Sequence, residues 1–171
     1  MDNKINEVLD KMKNIKYGWV DKYNVIHTHS KLQYFFDNYL YMGIEDTLKY
    51  KVGTCFEKAN LSKYYLKEMG IDSKVYMIDY DNPTKFAKHT ICVVEDNGFF
   101  YWVESSWVIN VTNKFNSLDE LFDMVIKKYP KMYKIEGLDR SLIHIYEVKD
   151  IPYKISFLEY YNLVKQINTN S

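Results

Sequence analysis

The sequence predicts an α+β domain, and three observations predict it. Apolar residues recur at three- and four-residue steps through most of the first seventy positions, which is the helical period. After Gly70 the period changes to two, and residues 73–80, 88–95 and 99–105 read as strands. Helical spacing then returns toward the C-terminus. Helices, a run of antiparallel strands and late helices is the order of an α+β fold rather than an alternating α/β one. The 171 residues show no internal repeat or linker, so the chain reads as a single domain over 1–171, large enough to bury a core without staples.

Each element has a local reason. Ile5, Val8, Leu9, Met12 and Ile15 share one face of a helix over 3–15. A turn closes at Gly18, Trp19-Val20 opens the next segment, and 21–30 is polar and irregular. Leu32, Phe35, Phe36, Tyr39 and Leu40 form a second short helix that Met42-Gly43 breaks, and 44–50 adds one or two more helical turns. The next helix has the clearest start. Thr54 is its N-cap and Glu57, three residues on, supplies the return half of a capping box. Phe56, Ala59, Leu61, Tyr64, Tyr65, Leu66 and Met69 carry its apolar face, and Gly70 ends it. Residues 81–84 form a turn or surface loop, and Asp96-Asn97-Gly98 is a hairpin signal. A helix with acidic residues in its first turn runs from Asn116 to about Lys128, before Pro130. Residues 142–148 alternate as a fourth strand, 156–167 form a closing helix, and 168–171 fray.

Composition excludes several classes. Acidic and basic residues balance at 23 each, so no global field points to nucleic acid or an anionic membrane surface. Arg140 is the only arginine, which disfavours bidentate phosphate recognition. Residues 1–7 are charged and form no apolar leader, and no apolar run approaches a membrane span. Cys55 and Cys92 are the only cysteines and make neither a disulfide framework nor a metal-ligand spacing, so a reduced, cytoplasmic setting is the default expectation.

Chemistry concentrates on Cys55. At the first position of a capped helix, free N–H groups and the positive end of the dipole favour a thiolate. A nucleophilic thiol needs a base, and the base needs an orienting group; His89 and Glu104 fit those roles. With Asn97-Gly98 as a two-residue loop, Glu104 faces Ile91 and lies diagonal to His89, within reach of a long side chain. A four-residue loop sets the two directly opposite, and a three-residue loop puts them on opposite faces. His89 shares its face with Ile91, Val93, Phe100 and Trp102; Thr90, Cys92, Val94, Phe99, Tyr101 and Val103 make the other. Both faces are apolar, so burial alone does not choose between them. If the Cys55 helix packs on the His89 face, thiol and imidazole can meet at its N-terminal end.

Gly53-Thr54-Cys55, the helix ending at Gly70-Ile71, His89-Thr90-Ile91-Cys92-Val93-Val94 and Tyr101-Trp102-Val103-Glu104 together resemble the transglutaminase-like branch of the papain-like thiol enzymes. The resemblance covers roughly residues 50–107. It implies a papain-like/transglutaminase-like fold and acyl transfer from an amide substrate through a thioester, with water or an amine as acceptor. Cys55 would be nucleophile, His89 proton shuttle and Glu104 orienting acid. The backbone N–H of Cys55 would serve as one oxyanion donor and the indole of Trp19 as a second. The family's acid is most often aspartate followed by proline and a hydroxyl residue, whereas Glu104 is followed by Ser105-Ser106-Trp107. That departure keeps open a non-catalytic binding or assembly module of the same fold. Cys55-Phe56-Glu57 with Asn60-Leu61 is also similar to the nucleophile motif of arylamine N-acetyltransferases, although Lys51-Val52 stands where those carry an arginine and glycine pair. The resemblance implies a peptide or protein substrate; no cofactor is expected, ligand spacing offers no metal site, and charge balance and hydropathy point to neither nucleic acid nor membrane as partner, with oligomeric state left open.

Other candidates read as structural. His27 and His29, two apart, lack a third ligand of metal-binding spacing. His144 alternates within the last strand, Cys92 faces away from His89 into the core, and Lys85 and Lys88 flank the approach to His89 as solvated lysines.

Overall fold

The computed structural model describes residues 1–107 and 114–169. In chain order it contains α1 (Asp2–Met12), β1 (Lys16–Tyr17), β2 (Trp19–Val20), β3 (Ile26–His27), α2 (Leu32–Asn38), α3 (Ile44–Tyr50), β4 (Val52–Gly53), α4 (Cys55–Glu68), β5 (Ser73–Asn82), β6 (Lys85–Asp96), β7 (Phe99–Val103), β8 (Lys114–Phe115), α5 (Leu118–Ile126), α6 (Tyr129–Tyr133), β9 (Ile143–Val148) and α7 (Phe157–Thr169). The α+β class expected from periodicity is what forms.

The principal sheet has five strands in the order β8-β7-β6-β5-β9, with every neighbour antiparallel. Asp96 pairs with Phe99 and Cys92 with Val103, the register of a two-residue loop. Asn97 and Gly98 both take positive φ, 51° and 79°, as a type I′ hairpin turn requires. The turn expected at 81–84 is tighter than the sequence suggested, since β5 and β6 pair through to Asn82 and Lys85. Pro130 does not stop helical structure. It sits in the first turn of α6, where its missing N–H is not needed. Residues 170–171 of the expected frayed tail lie outside the described residues.

Two cores flank the sheet. On one face α4, α1 and α7 bury Phe56, Ala59, Leu61, Ile5, Val8 and Tyr160 against Cys92, Val94, Tyr101 and Val103. On the other, Leu121, Phe122 and Val125 of α5 cover Ile91, Val93 and Trp102. This division decides a choice that the sequence left open. The Cys55 helix packs on the Thr90–Cys92–Val94 face, opposite the face that His89 shares with Ile91 and Val93. The two faces were equally apolar in sequence, and what decided between them was the partner. The aliphatic α5 helix, which follows β7 and β8 directly, takes the other side.

Leu61 is fully buried while Leu158 on α7 is 58% exposed. Leu61→Ala should therefore cost about 3 kcal/mol of unfolding free energy through lost burial and a residual cavity, and Leu158→Ala less than about 0.5 kcal/mol. Urea titration of the two variants checks this, and equal costs would contradict the core assignment.

Candidate functional site

The N-terminus of α4 is held unusually firmly. Thr54 accepts from the Phe56 N–H, and Glu57 Oε2 accepts from the Thr54 N–H at 2.8 Å and the Thr54 hydroxyl at 2.6 Å, completing the expected capping box. Glu57 Oε1 accepts from the Tyr39 hydroxyl at 2.5 Å and the Met42 N–H at 3.3 Å. Lys58, also buried, donates from Nζ to the Ile15 carbonyl at 2.7 Å, just past the end of α1. The adjacent β4 pairs in parallel with β1, setting Tyr17 opposite Gly53. A Cβ at Gly53 would meet the Glu57 Cβ at 2.9 Å, so the close approach of loop to helix requires glycine there.

The strand opposite explains where the thiol goes. β5 pairs with β6 along its whole length, but β7 pairs only as far back as Cys92. From Ile91 back to Lys85, therefore, β6 has one open edge. In the I′ register Asp96, Val94 and Cys92 bond to β7, so alternation aims the backbone groups of Thr90 and Lys88 at the vacant edge. Both are used. The Tyr133 hydroxyl donates to the Lys88 carbonyl, and the Thr90 N–H faces the Cys55 thiol, whose ionised form it favours.

His89 reaches the same edge from the other face. Its Nε2 lies 2.7 Å from Glu104 Oε2, as the two-residue register led one to expect. Glu104 Oε1 accepts from the N–H groups of Ser106 at 2.5 Å and Trp107 at 2.9 Å. Burial pushes the Glu104 carboxyl up, but His89 and these two N–H groups outweigh it and hold its pKa below the ordinary carboxylate range. The Trp107 indole stacks on the imidazole at 3.6 Å with 8° between planes. Of the three expected site residues, His89 and Glu104 are thus joined directly. Cys55 contacts the backbone next to His89, and among the described residues no hydrogen bond links its thiol to the ring.

The electrostatics of Cys55 differ from expectation. Burial pushes the thiol up to about 12, with Glu57 and Glu104 adding to the rise while the N–H groups of Thr90 and Cys55 itself pull against it. The helix start does favour thiolate, but a side chain only 4% exposed loses more by desolvation than it gains from the dipole.

Residues that sequence reasoning missed complete the surroundings. The Tyr17 side chain is 54% exposed overall, but its hydroxyl end turns in toward the Cys55 thiol; desolvation of that end, then Cys55, Glu57 and Glu104, hold its pKa above the ordinary phenol range. Gly18, whose Cβ would strike the His27 carbonyl oxygen at 2.7 Å, was the available hint that this segment runs close to another. Trp19, expected as a second oxyanion donor, lies in an aromatic cluster with its ring 4.4 Å from His27 and 5.3 Å from Phe35. It lines the same cavity as Cys55, a space of about 300 Å³. His27 Nε2 donates to Asp21 Oδ2 at 2.8 Å, and no group of three metal-ligating side chains occurs among the described residues. Lys88, read as solvated, is instead mostly buried and ion-paired with the buried Asp79, to which the Tyr161 hydroxyl also donates at 2.6 Å. No helix among the described residues is long and apolar enough to cross a membrane.

No protein-family model matches the chain, and no curated protein matches it.

The folded value for Cys55 lies above the unfolded one, so its contribution to stability is complete below about pH 9 and drains away as pH rises toward about 12. The same shift governs reactivity. Iodoacetamide should alkylate Cys55 in the resting protein at least about 100-fold more slowly at pH 8 than it alkylates glutathione. The rate should keep climbing to pH 11, as read by intact mass against a Cys55→Ser control. A plateau below pH 8 would show a thiolate already formed.

Proposed function

We propose that the chain is a thiol acyltransferase or hydrolase of transglutaminase-like fold, acting on an amide or ester carbonyl through a thioester on Cys55. The observation that carries the reading is the buried His89–Glu104 pair at the open edge of β6, where the Thr90 N–H meets the Cys55 thiol. Further support comes from the order of parts: a cysteine on the first residue of a core helix, a histidine on one strand and a carboxylate just past the next.

In this reading the thiol is neutral at rest and ionises only as it attacks. With Nε2 committed to Glu104, the His89 ring keeps Nδ1 to take the Cys55 proton and later return it to the leaving group, while Glu104 holds the tautomer and stabilises the imidazolium. Resting enzymes commonly tighten such contacts only when substrate is bound. The oxyanion would be met by the N–H of Cys55 at the helix start and by the Tyr17 hydroxyl, with the Trp19 indole as the expected alternative. Peptides or proteins are the substrates the fold suggests, and water or an amine the acceptor.

One observation favours a second reading, a non-catalytic binding module of the same fold. Burial that raises the Cys55 thiol to about 12 is also what a packed structural cysteine experiences.

The two separate on acylation by p-nitrophenyl acetate, followed by nitrophenolate release and intact mass. The catalytic reading expects a single acetyl adduct on Cys55 in the native chain and none in Cys55→Ser. It expects His89→Ala to slow adduct formation by about 10²–10⁴-fold, the range for a lost general base, and Glu104→Gln by at least about tenfold. Unchanged rates in both variants would leave the binding module.

A further inference from the structure

The cavity beside Cys55 has walls that specify what it can hold. Its floor is formed by Cys55, Trp19 and Phe56, all buried. One side continues through contacting rings, with Trp19–Phe35 at 5.3 Å, Phe35–Phe157 at 5.7 Å and Phe157–Phe86 at 5.4 Å. Phe35 and Phe86 themselves face the cavity. Its outer lip is polar and exposed, made by Thr28, His29 and Ser30.

Charge is nearly absent from this lining. No aspartate or glutamate contributes to it. Lys88 is its only lysine, and that ammonium already answers Asp79 and lies 4.2 Å from the Tyr161 ring centroid. A carboxylate entering the cavity would find the Lys88 charge already balanced by Asp79 and would add a second negative charge beside it. A second ammonium would be set beside Lys88 with no counter-charge and would lose its hydration. An uncharged apolar group meets no such cost, and aromatic edges and faces on two sides suit a ring. At about 30 Å³ per non-hydrogen atom, the volume of about 300 Å³ accommodates roughly ten.

We infer that this cavity is the acyl-group pocket of Cys55 and takes a bulky, uncharged, apolar acyl group such as an arylacetyl. The inference rests on the thiol acyl-transfer reading above and adds the substrate class. In the reaction the Cys55 proton passes to His89 as the sulfur bonds the carbonyl carbon. The bond from that carbon to the leaving oxygen or nitrogen then breaks, and the leaving atom takes the proton. Water or an amine next attacks the thioester, yielding acid or amide and restoring the thiol. No electron transfer is involved.

The test uses the full chain and four p-nitrophenyl esters: acetate, phenylacetate, glutarate and 6-aminohexanoate. Each rate of Cys55 acylation is divided by the rate of the same ester with glutathione, which removes intrinsic reactivity. Phenylacetate should exceed acetate at least tenfold on this scale, with glutarate and 6-aminohexanoate no faster than acetate. Phe86→Ala and the milder Phe86→Leu, each verified as folded by circular dichroism, should lower the phenylacetate-to-acetate ratio, the alanine variant at least threefold. Equal ratios for all four esters, or a lead for either charged one, would overturn the pocket assignment while leaving thiol acyl transfer standing. No adduct from any ester, in protein whose Cys55 is still alkylated at high pH, would overturn both.

Discussion

Glu57 is the constraint on which the arrangement depends. Both oxygens of a buried carboxylate are occupied, one by Thr54 and the other by Tyr39 and Met42. Burial raises its pKa against those same hydrogen bonds. An uncompensated charge in that position would be costly, so the helix start, the end of α2 and the segment leading into α3 must all be in place together. The thiol of Cys55, two residues earlier, inherits its position from this junction. A cap on an exposed helix satisfies a few N–H groups; this one also fixes where a helix tip meets a sheet.

The sheet supplies the other half. Because β7 ends its pairing at Cys92, the backbone groups of Thr90 and Lys88 on β6 point sideways, and the candidate site lies where the Thr90 N–H faces Cys55 and the Lys88 carbonyl accepts from Tyr133. Helix tip and imidazole come from opposite faces of the sheet, and both lie beside the open stretch of β6. An edge of this kind is a hazard if left bare. Here it is covered by the groups proposed to do the chemistry, which also explains how Glu104, the first residue past the end of β7, can reach His89.

Much of this was legible in the sequence, and the reasons differ by residue. The capping box was visible because Thr54 and Glu57 satisfy each other over three positions, a local pattern. The hairpin register was fixed by Asn97-Gly98, which accept positive φ where other pairs would not. With that register, the approach of Glu104 to His89 follows. The choice of face for α4 could not be read, because Ile91 and Val93 are as apolar as Cys92 and Val94 and only tertiary packing separates them. Tyr17 and Trp107 were invisible for another reason. Their roles depend on a two-residue parallel pairing with β4 and on the turn after Glu104, neither of which leaves a periodic trace. Solvent exclusion at Cys55 was underestimated because a dipole can be counted from helix position, whereas desolvation depends on the whole fold.

Two consecutive side chains on the first turn of α4 tie it to two different segments of the chain. Glu57 secures the stretch around Tyr39 and Met42, and Lys58 secures Ile15, two residues before Tyr17. The residues around Cys55 and the segments that support them are therefore tied together through a single helix turn. The rim formed by Thr28, His29 and Ser30 is exposed and takes no part in those hydrogen bonds. Selection for a new preference could act on that rim freely, so descendants of this chain would be expected to diverge at the mouth while the interior stays frozen.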